Sequence, residues 1–268
     1  RGTSSGIRLK TKYFKVSGRN MQFKNRIVIF VGAFGSGKTE IALNYVRVLR
    51  KQGKQVAIVD LDIASPYFRS RDVTEKLTTQ GIEVIAPPGE LALADLPIVV
   101  PRTKGAFDDP GLYVVVDVGG DDIGATALGR FSDQLRQLPH ELLLVVNTCR
   151  PFTKDVSGIK TMRLAVEKAA HLKVTGLVSN TNLGSETTPD IVHKGSEIIA
   201  NAAEQMGIPV VGAGVREDLV LAVGNLGVPI FPITITLLPP WYKSSMFTRD
   251  RRTVMAAQAA LKDKLQKQ

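Results

Sequence analysis

The stretch GAFGSGKT near the start of the chain has the residue types and the spacing needed to bind phosphate. It matches the pattern G-x-x-x-x-G-K-[ST] in full, with Gly32, Ala33, Phe34, Gly35, Ser36, Gly37, Lys38 and Thr39. Glycines let the backbone N–H groups of such a loop turn toward phosphate oxygens. We expect Lys38 to contact the β- and γ-phosphates, Thr39 to bind Mg²⁺ through its hydroxyl, and the nucleotide contacts to extend to Glu40.

The segments on either side of this loop are the ones that the motif requires. An apolar run at residues 27–31 precedes it, and apolar residues at helical spacing follow it between residues 41 and 49. A strand, a tight loop and a helix in this order place the positive end of the helix dipole at the phosphate site. The alternative, a glycine-rich turn with no ligand, is disfavoured because both flanks fit the motif.

Two further apolar runs, at residues 55–59 and 112–116, end in acidic residues. Asp60 and Asp62 follow the first run, and Asp117 follows the second, with Gly119 and Gly120 just beyond it. Side chains at the carboxyl ends of parallel strands point toward the crevice in which such sheets bind ligands. We expect Asp117 to hold Mg²⁺ and the glycines to offer a backbone N–H to the γ-phosphate. For each carboxylate, the alternative is a role in a turn or a helix cap.

The rest of the chain alternates apolar runs with helical patterns as far as residue 233. This alternation predicts an α/β fold, a three-layer αβα phosphate-loop NTPase domain with a mostly parallel twisted sheet, over residues 21–242. The stretch 90–110 is poorly patterned because prolines interrupt it. The run at 229–233 reads as a doubtful edge segment, since its prolines cannot donate to a ladder. Residues 243–268 predict a C-terminal helix packed on the domain or on a partner.

The amino-acid composition limits the classes of protein to which the chain can belong. Of 268 residues 44% are hydrophobic, which suffices for a large core, and the formal charge is +10. That charge belongs to the two ends of the chain, because residues 1–20 hold six basic residues and no acid, and residues 243–268 hold seven basic residues and two acids. Residues 1–20 precede Met21 and are interpreted as a tag or a disordered basic extension. The single cysteine, Cys149, excludes an internal disulfide. No membrane span is predicted, and a cytoplasmic location is expected.

The phosphate loop and the two acidic strand ends together resemble the MinD/ParA/CobB-type, or SIMIBI-class, branch of phosphate-loop NTPases. The resemblance covers residues 24–235. It implies that Asp60 or Asp62 positions the attacking water or the metal shell, and that Asp60 is also a metal ligand. It implies that Asp117 is the Walker B carboxylate. It further implies that an Asn after a late strand contacts the base, and Asn180 matches that position with Asn182 as the alternative. The catalytic set so implied is Lys38, Asp60, Asp62 and Asp117.

Several departures from the branch narrow the expected activity. Ala33 and Phe34 stand where the members that form ATP-sandwich dimers carry an additional lysine. The paired cysteines of the nitrogenase iron protein are absent. The guanine-binding motif Asn/Thr-Lys-x-Asp is also absent, because the turns after the late strands read Asn147-Thr148-Cys149-Arg150 and Asn180-Thr181-Asn182-Leu183. ATP with Mg²⁺ is therefore expected rather than GTP.

Three hypotheses for function follow. The first is an ATP-binding protein and ATPase that acts as a nucleotide-driven switch for a protein partner or within a homodimer. The second is an ATP-dependent ligase that activates a carboxylate, as the CobB and dethiobiotin synthetase members do. The third, an ATPase associated with nucleic acid, ranks last, because the basic ends lack interleaved aromatic residues and a recognisable binding module.

Overall fold

Buried apolar runs form eight strands in the part of the chain that the structure describes. The structure is a computed structural model, and it describes residues 22–61, 71–86, 96–120 and 122–237. The strands are β1 (Ile27–Val31), β2 (Gln55–Leu61), β3 (Ile82–Ile85), β4 (Leu112–Val118), β5 (His140–Val146), β6 (Gly176–Ser179), β7 (Val210–Arg216) and β8 (Ile230–Ile233). All five residues of β1 are buried, as expected for a parallel strand covered on both faces.

The eight strands make one sheet in the order β3-β2-β4-β1-β5-β6-β7-β8. Every neighbouring pair is parallel. The chain therefore fills one side of β1 with β2 to β4 and then crosses to build the other side. The loop after β1 emerges between the carboxyl ends of β4 and β5, which is the switch point where open sheets of this kind bind ligands.

Helices connect the strands and cover both faces of the sheet. In the described ranges they are α1 (Lys38–Lys51), α2 (Arg71–Thr79), α3 (Leu96–Asp108), α4 (Asp122–Gly129), α5 (Ser132–Leu135), α6 (Val156–Ala170), α7 (Pro189–Met206) and α8 (Val220–Val223). Among these helices, none combines the length and the apolar content that a bilayer-spanning helix requires.

Two large apolar clusters lie on opposite faces of the sheet. Alternate residues of each strand enter alternate clusters, so Ile29 packs in one and Phe30 in the other. The first cluster takes residues from α3 to α7, including Phe131 and Ile159. The second takes residues from α1 and α2, including the buried Tyr45. The result is the three-layer α/β arrangement that the alternating pattern predicts.

Some elements differ from the sequence prediction. The stretch 90–110, which has no clear pattern, contains α3 with Pro101 inside the helix. The helical pattern of residues 125–138 predicts one helix, but the structure forms two shorter helices, α4 and α5, separated by a turn. The doubtful edge segment is a strand, β8, and it lies at the edge of the sheet, where Pro232 is tolerated because one side of the strand has no ladder to support.

Several predicted features lie outside the described residues. They are the N-terminal extension at residues 1–20, Asp62 and the chain that follows it to residue 70, and the C-terminal helix within residues 243–268. The structure therefore describes most of the predicted NTPase domain, and its last described residue is Leu237.

A buried carboxylate fixes the end of α6 against the start of β6. Glu167 accepts hydrogen bonds from Arg163 Nε at 3.0 Å, from the Val174 backbone N–H at 3.0 Å and from Lys173 Nζ at 3.1 Å. Burial acts to raise the pKa of Glu167, but the bonds from Lys173, Val174 and Arg163 outweigh it and lower the pKa below its ordinary value. The ionised carboxylate is therefore the form that stabilises this corner of the fold.

We predict that Glu167→Gln lowers the free energy of unfolding at pH 7 by about 1–3 kcal/mol, the range for a buried group that loses charged partners. Because the pKa of Glu167 is lowered in the folded state, its contribution to the free energy of unfolding is complete above the unfolded-state pKa. That contribution is lost as the pH falls through the folded-state pKa. The difference in free energy of unfolding between the native chain and Glu167→Gln should therefore be smaller in acid. Urea unfolding at pH 7 and near pH 4 measures it, and Asp133→Asn, at an exposed ion pair, is the control. An equal difference at both pH values would contradict the assignment.

Candidate functional site

The phosphate loop follows β1 in a conformation that requires its glycines. A Cβ at Gly32 would lie 2.5 Å from the Val145 carbonyl oxygen, closer than any real Cβ contact. Gly37 has φ +83°, and a Cβ there would overlap the Asn180 amide nitrogen. Both positions therefore exclude a side chain, the first for lack of space and the second for lack of space and for its left-handed backbone. The loop backbone can turn tightly only because these residues are glycine.

The first turn of α1 faces this loop without a side-chain cap. Gly37 is the N-cap residue, and no side chain accepts a hydrogen bond from the start of the helix. An uncapped helix N-terminus offers N–H groups and a positive dipole end to an anion. Ser36 adds a buried hydroxyl, whose oxygen has no hydrogen-bond partner among the described residues. This end of the loop is therefore built from donors, as a phosphate site requires.

The two predicted carboxylates lie side by side at the carboxyl ends of neighbouring strands. Asp60 of β2 is in register with Asp117 of β4, and Asp117 is also in register with Phe30, two residues before the phosphate loop. Both carboxylates are buried, with at most 1% of the residue exposed. The strand order thus brings together residues that are 57 positions apart in the sequence.

The glycines after β4 pack against the outer part of the phosphate loop. A Cβ at Gly120 would lie 2.7 Å from the Phe34 backbone nitrogen, so the two backbones touch. Gly119 and Gly120 also line a small chamber of about 100 Å³ with Gly32 and α6. Phe34 itself is 76% exposed, whereas Ala33 beside it is buried. The structure therefore places Gly119 and Gly120 next to the loop, where the resemblance implies them.

A buried asparagine that the sequence analysis did not single out as a site residue joins three loops at the end of β5. The Asn147 side-chain amide donates to the carbonyl oxygens of Gly35 at 3.3 Å and Asn182 at 3.0 Å. Its oxygen accepts from the backbone N–H groups of Cys149 and Asn182. The sequence signal that could have identified it is a polar residue directly after the apolar run at residues 142–146, since such residues in parallel sheets face the ligand crevice.

Arg150 is a second residue that the sequence analysis did not assign to the site. Its Nε donates to the Gly35 carbonyl oxygen at 3.0 Å. Two residues of the same turn, Asn147 and Arg150, therefore donate side-chain hydrogen bonds to one carbonyl oxygen of the phosphate loop. Burial raises the pKa of the neighbouring Cys149 thiol, and the charge of Arg150 opposes that effect. The thiol is therefore mostly protonated at neutral pH, and chemistry by Cys149 as a nucleophile is disfavoured.

The side-chain amides of the two candidate base-binding asparagines, Asn180 and Asn182, both lie beside Gly37 of the loop. The Asn180 amide donates to the Ser36 carbonyl oxygen at 2.7 Å, and the Asn182 amide donates to the Asn180 carbonyl oxygen at 2.8 Å. Both residues line a cavity of about 270 Å³ that begins at Gly37 and extends toward the ends of β7 and β8. Asn180 thus supports the loop as well as lining the cavity.

The side chain of Glu40, a predicted nucleotide contact, bonds to the segment after β8. Its two carboxylate oxygens accept from the backbone N–H groups of Thr236 at 2.6 Å and Leu237 at 3.0 Å. Burial raises the pKa of Glu40, and these bonds act in the opposite direction. One helical turn further along α1, Asn44 bonds to both backbone groups of Thr234. The side chain of Glu40 therefore fixes the segment after β8, and only its backbone N–H remains suited to a phosphate.

The metal-binding residues that the sequence predicts do not form a cluster of protein ligands. In the described part of the chain, no group of three or more His, Cys, Asp and Glu side chains is close enough to hold an ion. A magnesium site in a phosphate-loop protein does not need one, because phosphates and waters supply most of the ligands. Thr39 at the start of α1, with Asp117 and Asp60 at the ends of adjacent strands, supplies the oxygen donors that Mg²⁺ prefers.

The sequence profile of the CobQ/CobB/MinD/ParA nucleotide-binding domain matches residues 27–222. The chain belongs to this family. Its matched part contains the phosphate loop, both carboxylates and both asparagines, which is the set of residues gathered at one edge of the sheet. The resemblance inferred from the sequence is thereby confirmed, and the chain is a phosphate-loop NTPase domain of the SIMIBI class.

Individual curated proteins are also similar in sequence to part of this chain. The signal recognition particle 54 kDa protein of Methanopyrus kandleri is 28% identical over 199 residues, which is 72% of this chain and 39% of that protein. The protein of the same name from Thermococcus kodakarensis is 28% identical over 149 residues, 51% of this chain and 31% of that protein. The chain thus spans less than half the length of these curated relatives.

Chloroplast FtsY from Physcomitrella patens is similar in structure, with a TM-score of 0.51 and 20% identity over 78% of this chain and 64% of that chain. At this identity the likeness supports the shared fold alone.

We predict that Gly37→Ala and Gly53→Ala have different effects. Both would strain a left-handed backbone, but only a Cβ at Gly37 would collide with the Asn180 side chain. Both glycines have a similar positive φ, +83° and +78°, but nothing lies within 4 Å of a Cβ at Gly53. Each substitution should cost about 1–2 kcal/mol of stability for the left-handed backbone. Only Gly37→Ala should also displace the Asn180 amide and abolish binding of MgATP. Urea unfolding and calorimetry measure both effects, and equal behaviour of the two variants would contradict the close approach.

Proposed function

We propose that the chain is a Mg²⁺-dependent ATP-binding protein and ATPase that acts as a nucleotide-driven switch for a partner protein. The observation that carries this proposal is the uncapped N-terminus of α1, which opens at Gly37 between the strand that ends in Asp117 and the 270 Å³ cavity. The carboxylate pair, the helix N-terminus and the cavity would then face the metal, the phosphates and the base of a nucleoside triphosphate.

The residues present fit a magnesium nucleotide. The glycine positions 32, 35 and 37 of the loop have no room for a Cβ atom, and the buried hydroxyl of Ser36 has no hydrogen-bond partner among the described residues. Lys38 and the N–H groups of the first turn of α1 would bind the phosphates. Thr39 and Asp117 would hold Mg²⁺, which supplies charge stabilisation for phosphoryl transfer when it is bound. Asp60, in register with Asp117, would orient a water at the same edge of the sheet.

The chemistry of the cavity favours adenine over guanine. Guanine presents an N–H and an amino group on its pairing edge, and a carboxylate satisfies both donors. Glu40 is the only carboxylate among the described residues that line the cavity, and both of its oxygens already accept backbone N–H groups. Adenine presents one donor group and one acceptor on that edge, which the neutral amides of Asn180 and Asn182 can match.

Switching is supported by where the two carboxylates lie. Each stands at the end of a strand, directly before a connection to the next helix. Contacts that these residues make with the γ-phosphate side of a nucleotide would be present before hydrolysis and absent after it, so the connections would report the nucleotide state. A protein partner is also consistent with the relatives, since the signal recognition particle 54 kDa proteins are by name components of a particle.

A carboxylate-activating ligase is less well supported. Such an enzyme needs a second substrate pocket beside the γ-phosphate. The chamber next to Gly120 is about 100 Å³, and the described residues that line it are glycine or apolar. A chamber of this size and chemistry offers no side chain to orient a polar acceptor.

We predict that Lys38→Ala weakens the binding of MgATP by at least about tenfold, because a buried charge-assisted contact to phosphate is lost. Isothermal titration calorimetry measures the dissociation constant, and EDTA in place of Mg²⁺ should weaken binding in the native chain. Lys51→Ala is the matched control, since Lys51 is an exposed residue in the last turn of the same helix. Unchanged affinity in Lys38→Ala would refute the nucleotide site.

We predict that ATP competes better than GTP for the native chain, and that Asn182→Asp shifts this preference toward GTP. The substitution adds to the cavity a carboxylate that can accept both donors of guanine. Displacement of a fluorescent nucleotide by ATP and by GTP gives the ratio of affinities for each protein. A native chain that prefers GTP would overturn the adenine assignment and leave the phosphate site intact.

A further inference from the structure

The turn after β5 carries a cation that is not part of the phosphate-loop motif. Arg150 lies directly against the loop, where its Nε donates to the Gly35 carbonyl oxygen at 3.0 Å. A Cβ at Gly35 would lie 2.8 Å from Nε and 3.0 Å from Cζ. The guanidinium is thus in contact with the loop backbone along its length, and only a glycine at position 35 allows this contact.

The backbone of Arg150 is fixed as firmly as its side chain. Its N–H donates to the Asn147 carbonyl oxygen at 3.1 Å, and its carbonyl oxygen accepts from Thr153 N–H at 3.1 Å. The Asn147 amide reaches the same Gly35 carbonyl oxygen as Arg150 does. An arginine held at both ends loses little further side-chain entropy when it binds a ligand, so it is preorganised for one.

The charge of Arg150 is not balanced by another side chain in the described part of the chain. Arg150 lines the 270 Å³ cavity with two other charged residues, Glu40 and Arg216. Both oxygens of Glu40 accept backbone N–H groups, and Arg216 forms a two-bond ion pair with Asp218. By contrast, no described carboxylate lies in ion-pair contact with Arg150, and its terminal nitrogens Nη1 and Nη2 donate to no described residue.

We infer that Arg150 binds the phosphate chain of the nucleotide as a second cation, supplied by the same chain as the phosphate loop. The inference rests on the proposed function, because it names a further contact in the same site. Nε is used to hold the loop, and Nη1 and Nη2 remain available for two phosphate oxygens, the geometry in which a guanidinium binds most strongly. An unbalanced positive charge at the phosphate-loop end of the cavity attracts the anionic part of the ligand and not its base.

Arg150→Gln tests this inference while keeping the structure of the loop. The glutamine Nε2 lies the same number of bonds from the backbone as the arginine Nε, so it can still donate to the Gly35 carbonyl oxygen, but the charged end is gone. Lys154→Gln is the matched control, because it removes one positive charge from an exposed residue four positions along. Thermal melting of each variant without ligand checks that the fold is kept.

The probes are MgATP, MgADP and adenosine, measured by displacement of a fluorescent adenine nucleotide at low and at high salt. We expect Arg150→Gln to weaken MgATP and MgADP by about tenfold, as for the loss of a charge-assisted bond. Adenosine affinity should stay unchanged, and the salt dependence of MgATP binding should decrease. Lys154→Gln should match the native chain with all three probes.

Three outcomes would overturn the inference. Equal MgATP affinity in Arg150→Gln and the native chain would mean that Arg150 only supports the loop. Equal weakening of adenosine and MgATP would place the guanidinium at the base or the ribose. If Lys154→Gln weakened MgATP binding as much as Arg150→Gln does, the effect would come from the net charge of the protein and not from a contact of Arg150. A native chain that binds no MgATP, with Lys38→Ala no different from it, would instead refute the proposed function, so the two failures are distinguishable.

Discussion

The phosphate loop is held through its carbonyl groups, and this leaves its N–H groups for a ligand. Asn147 and Arg150 donate to the Gly35 carbonyl oxygen, and Asn180 donates to that of Ser36. A short loop rich in glycine loses much conformational entropy when it is ordered. The three side-chain donors offset that cost by bonding to carbonyl oxygens, and these bonds do not occupy the N–H groups of the loop. The donors come from the ends of β5 and β6, so the loop depends on the sheet beside it for its shape.

The strand order explains how residues far apart in sequence meet at this loop. Because β1 lies between β4 and β5, Asp117 stands at the strand end on one side of β1 and Asn147 follows the strand on the other side. The first side contributes acids, which suit a cation, and the second contributes amides and a guanidinium, which suit an anion and a neutral base. The chemical division of the site thus follows directly from the crossing of the chain at β1.

The sequence predicts the parts of this site that local pattern determines. The phosphate loop, the buried strands and the carboxylates at their ends all follow from residue type and spacing over fewer than ten residues. Arg150 could not be assigned in this way, because its role is a contact with Gly35 that is more than a hundred positions away. Asn147 follows an apolar run that marks it as a crevice residue, but its contact with Gly35 is equally distant in sequence. Glu40 lies next to the motif, yet its side chain binds Thr236 and Leu237. A partner so distant in sequence leaves no signal near the loop. The helix α3 was missed for a different reason, since Pro101 weakens the helical pattern that the rest of the segment carries.

The contacts of Glu40 also explain why the cavity has a wall on its far side. The strand β8 is short and contains Pro232, and it lies at the edge of the sheet, so the ladder with β7 holds it on one side only. Beyond it, Ile235 and Leu237 line the cavity although they belong to no strand. Their position depends on α1, because Glu40 and Asn44 bind the backbone from Thr234 to Leu237. If the proposed function holds, the helix whose N-terminus would bind the phosphates also fixes the wall that would face the base. One helix would then set the distance between the two ends of the nucleotide.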